Sequence, residues 1–292
     1  MKQLLILSGK GGTGKTTIAG AFIKLSKARA YADCDVDAPN LHLVMSQSKP
    51  AIRSDYYGMP KAKIDQDVCV KCDWCRQNCR FDAIDAGVQY NTVDEYACEG
   101  CGVCAKICPV GAITLTPAVA GGLMLYVDDA VFSTAQLKMG SGTSGMLVTE
   151  VKKQMKSAAA DVEIAIIDGS PGIGCPVIAS LSGVDMVLIV AEPSVSGISD
   201  MERIIKTAKG FQTKIAVCIN KYNTNFVKTA EIVSFCQKYS LPFVGKIPFD
   251  PKVVEAVNQG RSIVDIDCSA GRAAKEVYAK TSRILLEESQ SA

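Results

Sequence analysis

Two stretches carry residue types whose spacing could do chemistry. Residues 8–17 read SGKGGTGKTT. The glycines leave backbone N–H groups free to surround a β-phosphate, Lys15 neutralises charge, and the Thr16 hydroxyl can bind Mg2+. Gly11, Gly12, Thr13, Gly14, Lys15, Thr16 and Thr17 are therefore the expected phosphate cradle. The second stretch, residues 60–117, holds eight of the chain's thirteen cysteines, as Cys69-x2-Cys72-x2-Cys75-x3-Cys79 and Cys98-x2-Cys101-x2-Cys104-x3-Cys108. In a reducing cytosol such clusters point to metal rather than to disulfides.

The elements that position these residues follow from hydrophobic pattern. Outside 60–117, the apolar runs LLILS, IAIIDGS, MVLIVAEP, KIAVCIN and FVGKIP alternate with the helical-period segments AGAFIKLSKA, MLVTEVKKQM, GISDMERIIKTAKG and KTAEIVSFCQKYS. Near-continuous apolar strands between helices predict an α/β, doubly wound, mostly parallel sheet covered on both faces. The glycine loop lies between the first strand and a helix, where a phosphate loop belongs. Within 60–117 the sequence repeats with an offset of 29 residues: Ile64-Asp65 matches Val93-Asp94, each cysteine has its counterpart, and Ala83-Ile84 matches Ala112-Ile113. The repeat predicts a small two-fold α+β module, residues 60–117, inserted into a host domain of residues 1–59 and 118–292. Gly121-Gly122 and the loop GSGTSG mark the return to the host, with the strand LMLYV between them. A last helix is expected near 273–287, its Val277, Ile284 and Leu285 stripe serving as a docking face rather than a membrane anchor.

Composition narrows the function classes. With 292 residues and 48% hydrophobic content, the chain can bury a sizeable core. A net charge of +2, from 32 basic and 30 acidic residues, supplies no broad basic field for nucleic acid. No run of about 18 apolar residues occurs, and the apolar start is too short for a signal peptide, so a soluble, cytoplasmic protein without membrane contact is expected.

On these residues the host resembles the MinD/ParA superfamily of P-loop ATPases, which includes the nitrogenase iron protein. Lys10, a second lysine ahead of the paired glycines, marks the deviant phosphate loop. The resemblance implies a nucleotide-dependent homodimer in which Lys10 crosses to the partner's phosphates, with slow, partner-stimulated ATP hydrolysis. ADCDVDAPN at 32–40 is similar to the first switch, which implies that Asp35 orients the attacking water and Asp33 lies near the Mg2+ hydration shell; Asp37 has no counterpart role. Asp168 looks like the strand-end carboxylate that binds Mg2+ through water, and Gly172 would read the γ-phosphate through its N–H. In INKYN, Asn220 would face the base, and Asn223 replaces the aspartate of GTPases, which favours ATP. Pro248 and Asp250 would close on the base. The implied catalytic set is Lys10, Lys15 and Asp35; the implied Mg2+ set is Thr16, Asp33 and Asp168. His42, the only histidine, is expected to be packed or solvent-facing.

Each cysteine run resembles one half of a bacterial two-cluster ferredoxin. That resemblance implies one 4Fe-4S cluster on Cys69, Cys72, Cys75 and Cys108, and a second on Cys98, Cys101, Cys104 and Cys79. Zinc is the alternative occupant. Pro109 follows Cys108 as in that family, whereas Arg80 follows Cys79. Trp74, between two ligands, would either shield a cluster or pack in a small core. The combined expectation is an ATPase coupling nucleotide state to electron transfer toward a redox or metal-cofactor assembly protein. A cluster carrier or assembly ATPase is one alternative. A MinD-like positioning ATPase with a redox-sensing insert is another.

Five thiols remain. Cys34, Cys218 and Cys236 fall on apolar strands or a helix and read as buried, and Cys268 lies in a turn-like stretch. Cys175 follows the second switch, and no cysteine between Cys108 and Asp168 could complete a cluster shared between two protomers. Three readings of Cys175 stand: a structural thiol at a helix start, a transient metal ligand at an interface, or a thiolate activated by the helix dipole.

Overall fold

The apolar runs become strands and the helical-period segments become helices in a computed structural model that describes residues 1–159 and 161–287. The chain opens with β1 (Lys2–Leu7), α1 (Lys15–Ser26), β2 (Ala30–Asp33) and β3 (Ile52–Tyr57). It then forms the small elements β4 (Lys61–Ile64), α2 (Trp74–Gln77), β5 (Ile84–Asp85), β6 (Thr92–Val93), α3 (Val103–Ile107) and β7 (Ile113–Thr116). The larger elements resume with β8 (Val119–Val127), β9 (Val131–Leu137), α4 (Ser144–Ala158), β10 (Ile164–Asp168) and α5 (Cys175–Leu181). They continue with β11 (Met186–Ala191), α6 (Val195–Lys209), β12 (Lys214–Asn220), α7 (Phe226–Lys238), β13 (Phe243–Ile247), α8 (Lys252–Asn258) and α9 (Ser269–Leu286).

The central sheet runs β13-β12-β11-β1-β10-β2-β9-β8-β3. Strands β13 through β9 are parallel, and β8 and β3 add antiparallel pairings at one edge. This is the α/β P-loop fold with a mostly parallel sheet. Alternate residues of β1 feed opposite cores. Leu5 and Leu7 join the helices α4, α5, α6 and α7 on one face. Leu4 and Ile6 join α1 and α9 on the other. Val277 and Leu285 of α9 are buried in that second core, which explains the C-terminal stripe as a packing face. Among the described residues, no helix is long and apolar enough to cross a membrane.

The antiparallel edge builds the route to the cysteines. β3 pairs with β8, and a few residues on, β4 pairs with β7, so both connections leave the sheet as one two-stranded path. Residues 61–116 gather around their own small core of Ala62, Ala83, Cys98 and Ile113. The 29-residue offset is visible in the backbone: left-handed residues pair as Lys71 with Gly100, Asp73 with Gly102, and Asp82 with Gly111. The strand pairs Ile64–Ile113 and Ile84–Val93 exchange under the same offset.

Candidate functional site

Helix α1 begins without a side-chain cap, leaving its first N–H groups to the loop that precedes it. Gly14 there has φ +89°, and a side chain at this position would overlap the Asn220 amide. Parallel strands deliver the acids: β10 ends at Asp168 and β2 at Asp33, side by side in register. Lys15 Nζ lies 2.5 Å from Asp168 Oδ1, with both side chains nearly fully buried. The Thr16 hydroxyl donates to Asp168 Oδ2 at 2.6 Å. One carboxylate thus holds both the Lys15 ammonium and the Thr16 hydroxyl.

Both oxygens of Asp33 accept backbone N–H groups: Asp35 at 3.0 Å on Oδ1, and Asn40 and Leu41 at 2.8 and 2.9 Å on Oδ2. It therefore folds the 33–41 loop. Burial, reinforced by the Asp168 carboxylate, pushes Asp33 up to about 7. Burial also raises Asp35. Asp35 lines a pocket of about 390 Å³ with Lys10, Gly11, Thr13, Lys15 and Thr16. His42 is exposed on the short 3-10 turn Leu41–Leu43.

A second cavity of about 280 Å³ adjoins this pocket through Gly12, Gly14, Thr17 and Val257. Ile18, Ile247, Pro248 and Val253 supply its apolar walls, and Asn220 lies at its edge. An apolar slot beside a phosphate pocket suits a nucleotide base. Asn220 Nδ2 donates to Thr13 O at 2.7 Å, so it also tethers the phosphate loop to β12. Asn223 does not face the base: its carbonyl accepts Phe249 N–H at 2.6 Å and holds the closing loop. Asp250 lines the cavity, but its oxygens accept from Lys252 N, Ser269 N and Ser269 Oγ, which caps α9.

Two expected contacts are engaged differently. Lys10 folds back on its own chain, 2.6 Å from Glu192 Oε2 and 3.4 Å from the Ser194 and Ser196 hydroxyls. Gly172 N–H donates to Ser8 O at 3.0 Å. Sequence reasoning missed Glu192 and Lys221. Lys221 Nζ donates to Gly12 O at 2.7 Å and lies 3.6 Å from Glu192. The available signal for Glu192 was its place just beyond the C-terminal end of a strand beside β1, where ligands of open α/β sheets bind.

The eight clustered cysteines line two cavities. One is lined by Cys69, Cys72, Cys75 and Cys108; the other by Cys79, Cys98, Cys101 and Cys104. Among the described residues, no three His, Cys, Asp or Glu side chains close around a single metal ion. Trp74 borders the first cavity and is 54% exposed, so it is a rim residue rather than core. Arg80 is exposed.

Burial pushes Cys34 and Cys218 up to about 12 and Cys236 to about 11, so these thiols stay protonated and inert. Cys34 lies one residue past β2 rather than within it. Cys268 is a helix cap, its sulfur accepting Gly271 N–H at 3.2 Å. Cys175 is exposed at the start of α5. Two glycines lie close to Cys175 and Glu99: a Cβ at Gly145 would sit 3.2 Å from Cys175 O, and one at Gly142, in the loop before α4, would sit 3.2 Å from Glu99 Oε2.

The family profile "CobQ/CobB/MinD/ParA nucleotide binding domain" matches residues 4–263. An uncharacterized protein of Methanocaldococcus jannaschii is 30% identical over 281 residues, 95% of each chain. The septum site-determining protein MinD of Escherichia coli is 24% identical over 302 residues, covering 98% of this chain and 91% of its own. The Mg-ADP complex of the septum site-determining protein MinD from Pyrococcus horikoshii superposes with a TM-score of 0.59 at 16% identity, over 99% of both chains.

Proposed function

The chain belongs to the CobQ/CobB/MinD/ParA family of nucleotide-binding domains, and from that premise we propose that it is an ATP-hydrolysing switch whose insert, residues 60–117, holds two 4Fe-4S clusters. The observation that carries the insert reading is the sorting of eight sulfurs into two cavities, each taking three cysteines from one run and the fourth from the other. Four cysteines around each cavity, drawn three from one run and one from the other, suit a cluster better than zinc. When bound, the clusters supply one-electron storage.

The remaining steps belong to this chain's own residues. Lys15 leaves Asp168 for the β- and γ-phosphates, freeing the carboxylate and the Thr16 hydroxyl to hold Mg2+ and its water. Asp35 orients the attacking water, and burial, which raises its pKa, makes its carboxylate a stronger proton acceptor. Lys10 leaves Glu192 and reaches the phosphates of a second copy, so ATP closes a homodimer. Asn220 and Pro248 receive the adenine. Movement of the second switch, Asp168–Gly174, passes through Cys175 and Gly145 to the loop against Glu99.

The named relatives are septum site-determining proteins. They favour a MinD-like positioning switch with a redox-sensing insert over an electron-delivering ATPase. That movement serves either. The test is anaerobic iron counting and stopped-flow spectroscopy of the full chain with ADP and ATP. Redox sensing predicts an ATPase rate that depends on cluster oxidation state without cluster oxidation at each turnover. Oxidation in step with turnover would identify electron delivery, and stoichiometric iron loss to an apo-protein would identify carriage. Fewer than eight irons per chain would sink the two-cluster reading.

A further inference from the structure

The 29-residue repeat places equivalent residues around both cysteine cavities, so departures from equivalence single out what makes the two sites differ. Ile64 and Val93, Cys75 and Cys104, and Ala112 and Ala83 are conservative counterparts on the two walls. Six lining pairs are not. Asp73 stands where the second cavity has Gly102, Trp74 where it has Val103, and Val110 where it has Phe81. Asn91 borders the first cavity where Ala62 borders the second. Val70 stands where the second has Glu99, and Lys71 where it has Gly100.

Asn91 is 2% exposed and its Oδ1 has no partner. Its Nδ2 lies 3.6 Å from Cys75 Sγ and 3.0 Å from Asp73 Oδ1, donating to both. Backbone N–H groups do not separate the sites as this amide does, because Ala112 N–H reaches Cys108 Sγ at 3.3 Å and Ala105 N–H acts on Cys104. Resting on the two-cluster reading above, we infer that Asn91 makes the site of Cys69, Cys72, Cys75 and Cys108 the one that takes up an electron more readily.

Uptake of one electron from an external reductant adds one negative charge, shared by the cluster and its thiolates. An N–H dipole aimed at a sulfur stabilises that form. Charge is mixed at the second site, where the Glu99 carboxylate lines the cavity and the Lys61 ammonium donates to Cys98 O, so the Asn91 amide carries the difference. Asp73 is the one opposing charge at the first site. Arg76 neutralises it, its Nε lying 2.9 and 3.1 Å from the two carboxylate oxygens. The electron therefore rests on the outer site, and the site beside Gly142 and the ATPase sheet is the harder to reduce.

The test is a potentiometric titration of the anaerobically reconstituted full chain, with mediators and EPR detection, after iron counting. Two waves are expected. Asn91→Leu keeps the branched shape and removes the donor, and should lower the higher wave by about tenfold in the reduction equilibrium, about 59 mV for one electron, leaving the lower wave in place. Asn91→Ser, which keeps an O–H donor, should recover part of that shift. Glu99→Gln leaves Asn91 untouched and should raise the lower wave alone. A higher wave unmoved by Asn91→Leu, movement of both waves together, or a lower wave unmoved by Glu99→Gln overturns the inference. Fewer than eight irons in the wild-type chain overturns the two-cluster reading and this inference with it; eight irons with unmoved waves overturns the inference alone.

Discussion

Lys15 and Thr16 both bond to Asp168, so the acid that would order Mg2+ also keeps in place the groups proposed to bind phosphate. Asp35 lines the same pocket as Lys15 and Thr16 without a bond to either. Asp35→Asn should therefore lower kcat by about 10²-fold or more while leaving the nucleotide Kd within a few fold, measured by phosphate release and equilibrium binding. Lys152 is the residue that sequence reasoning gave no reason to notice. Its buried ammonium donates to Ala179 O at 3.2 Å, Ser180 O at 2.6 Å and Ser182 O at 2.5 Å, closing the C-terminal end of α5. Lys152→Met leaves these carbonyls without that donor and should cost about 3 kcal/mol in urea unfolding. Burial lowers Lys152 to about 8, from an ordinary value of 10.5. Between those values the unfolded chain binds more protons than the folded one, so this group's contribution to stability rises as pH increases from 8 to 10.5. Wild type compared with Lys152→Met across that range should show the rise; a flat difference would contradict it.

At the scale of elements, α4 and α5 pack so that the start of one supports the start of the other. A Cβ at Gly145 would sit 3.2 Å from Cys175 O and 3.3 Å from Cys175 Cβ. Gly145→Ala should displace α5 or the 139–143 loop, costing about 1–3 kcal/mol and weakening ATP binding. Thermal unfolding with and without nucleotide checks this, because a purely local packing loss would lower Tm without changing the shift that nucleotide produces. Helices α1, α4, α6, α7 and α9 were legible from apolar period, whereas α8 forms in a stretch that reads as a loop. The edge strand β3 was not: IRSDYY buries only Tyr56, so it carries no alternation of a half-buried strand. It forms because β8 offers it a ladder, and that pairing carries the chain out to the insert.

For the whole molecule, the proposed function requires nucleotide and redox state to be thermodynamically linked. Linkage is reciprocal: if reduction changes ATP affinity tenfold, ATP must shift the reduction potential by about 59 mV. ATP affinities of oxidised and reduced protein, set beside potentials with and without ATP, should give matching factors. A redox-independent ATP affinity would show that the insert and the switch are uncoupled.

The phosphate loop, the strand-end aspartate and the eight-cysteine repeat were legible because each depends on local spacing along one segment. Lys15, Thr16, Asp168 and Asn220 came together where a doubly wound sheet brings strand ends together. The partners of those groups were not legible. Nothing in the order of residues pairs Lys10 with Glu192 or Lys152 with the end of α5, nor does it aim Asn91 at Cys75 rather than at water. Such contacts depend on which surfaces the packed sheet and helices bring within about 3 Å hydrogen-bonding distance, a long-range outcome that only the tertiary structure decides.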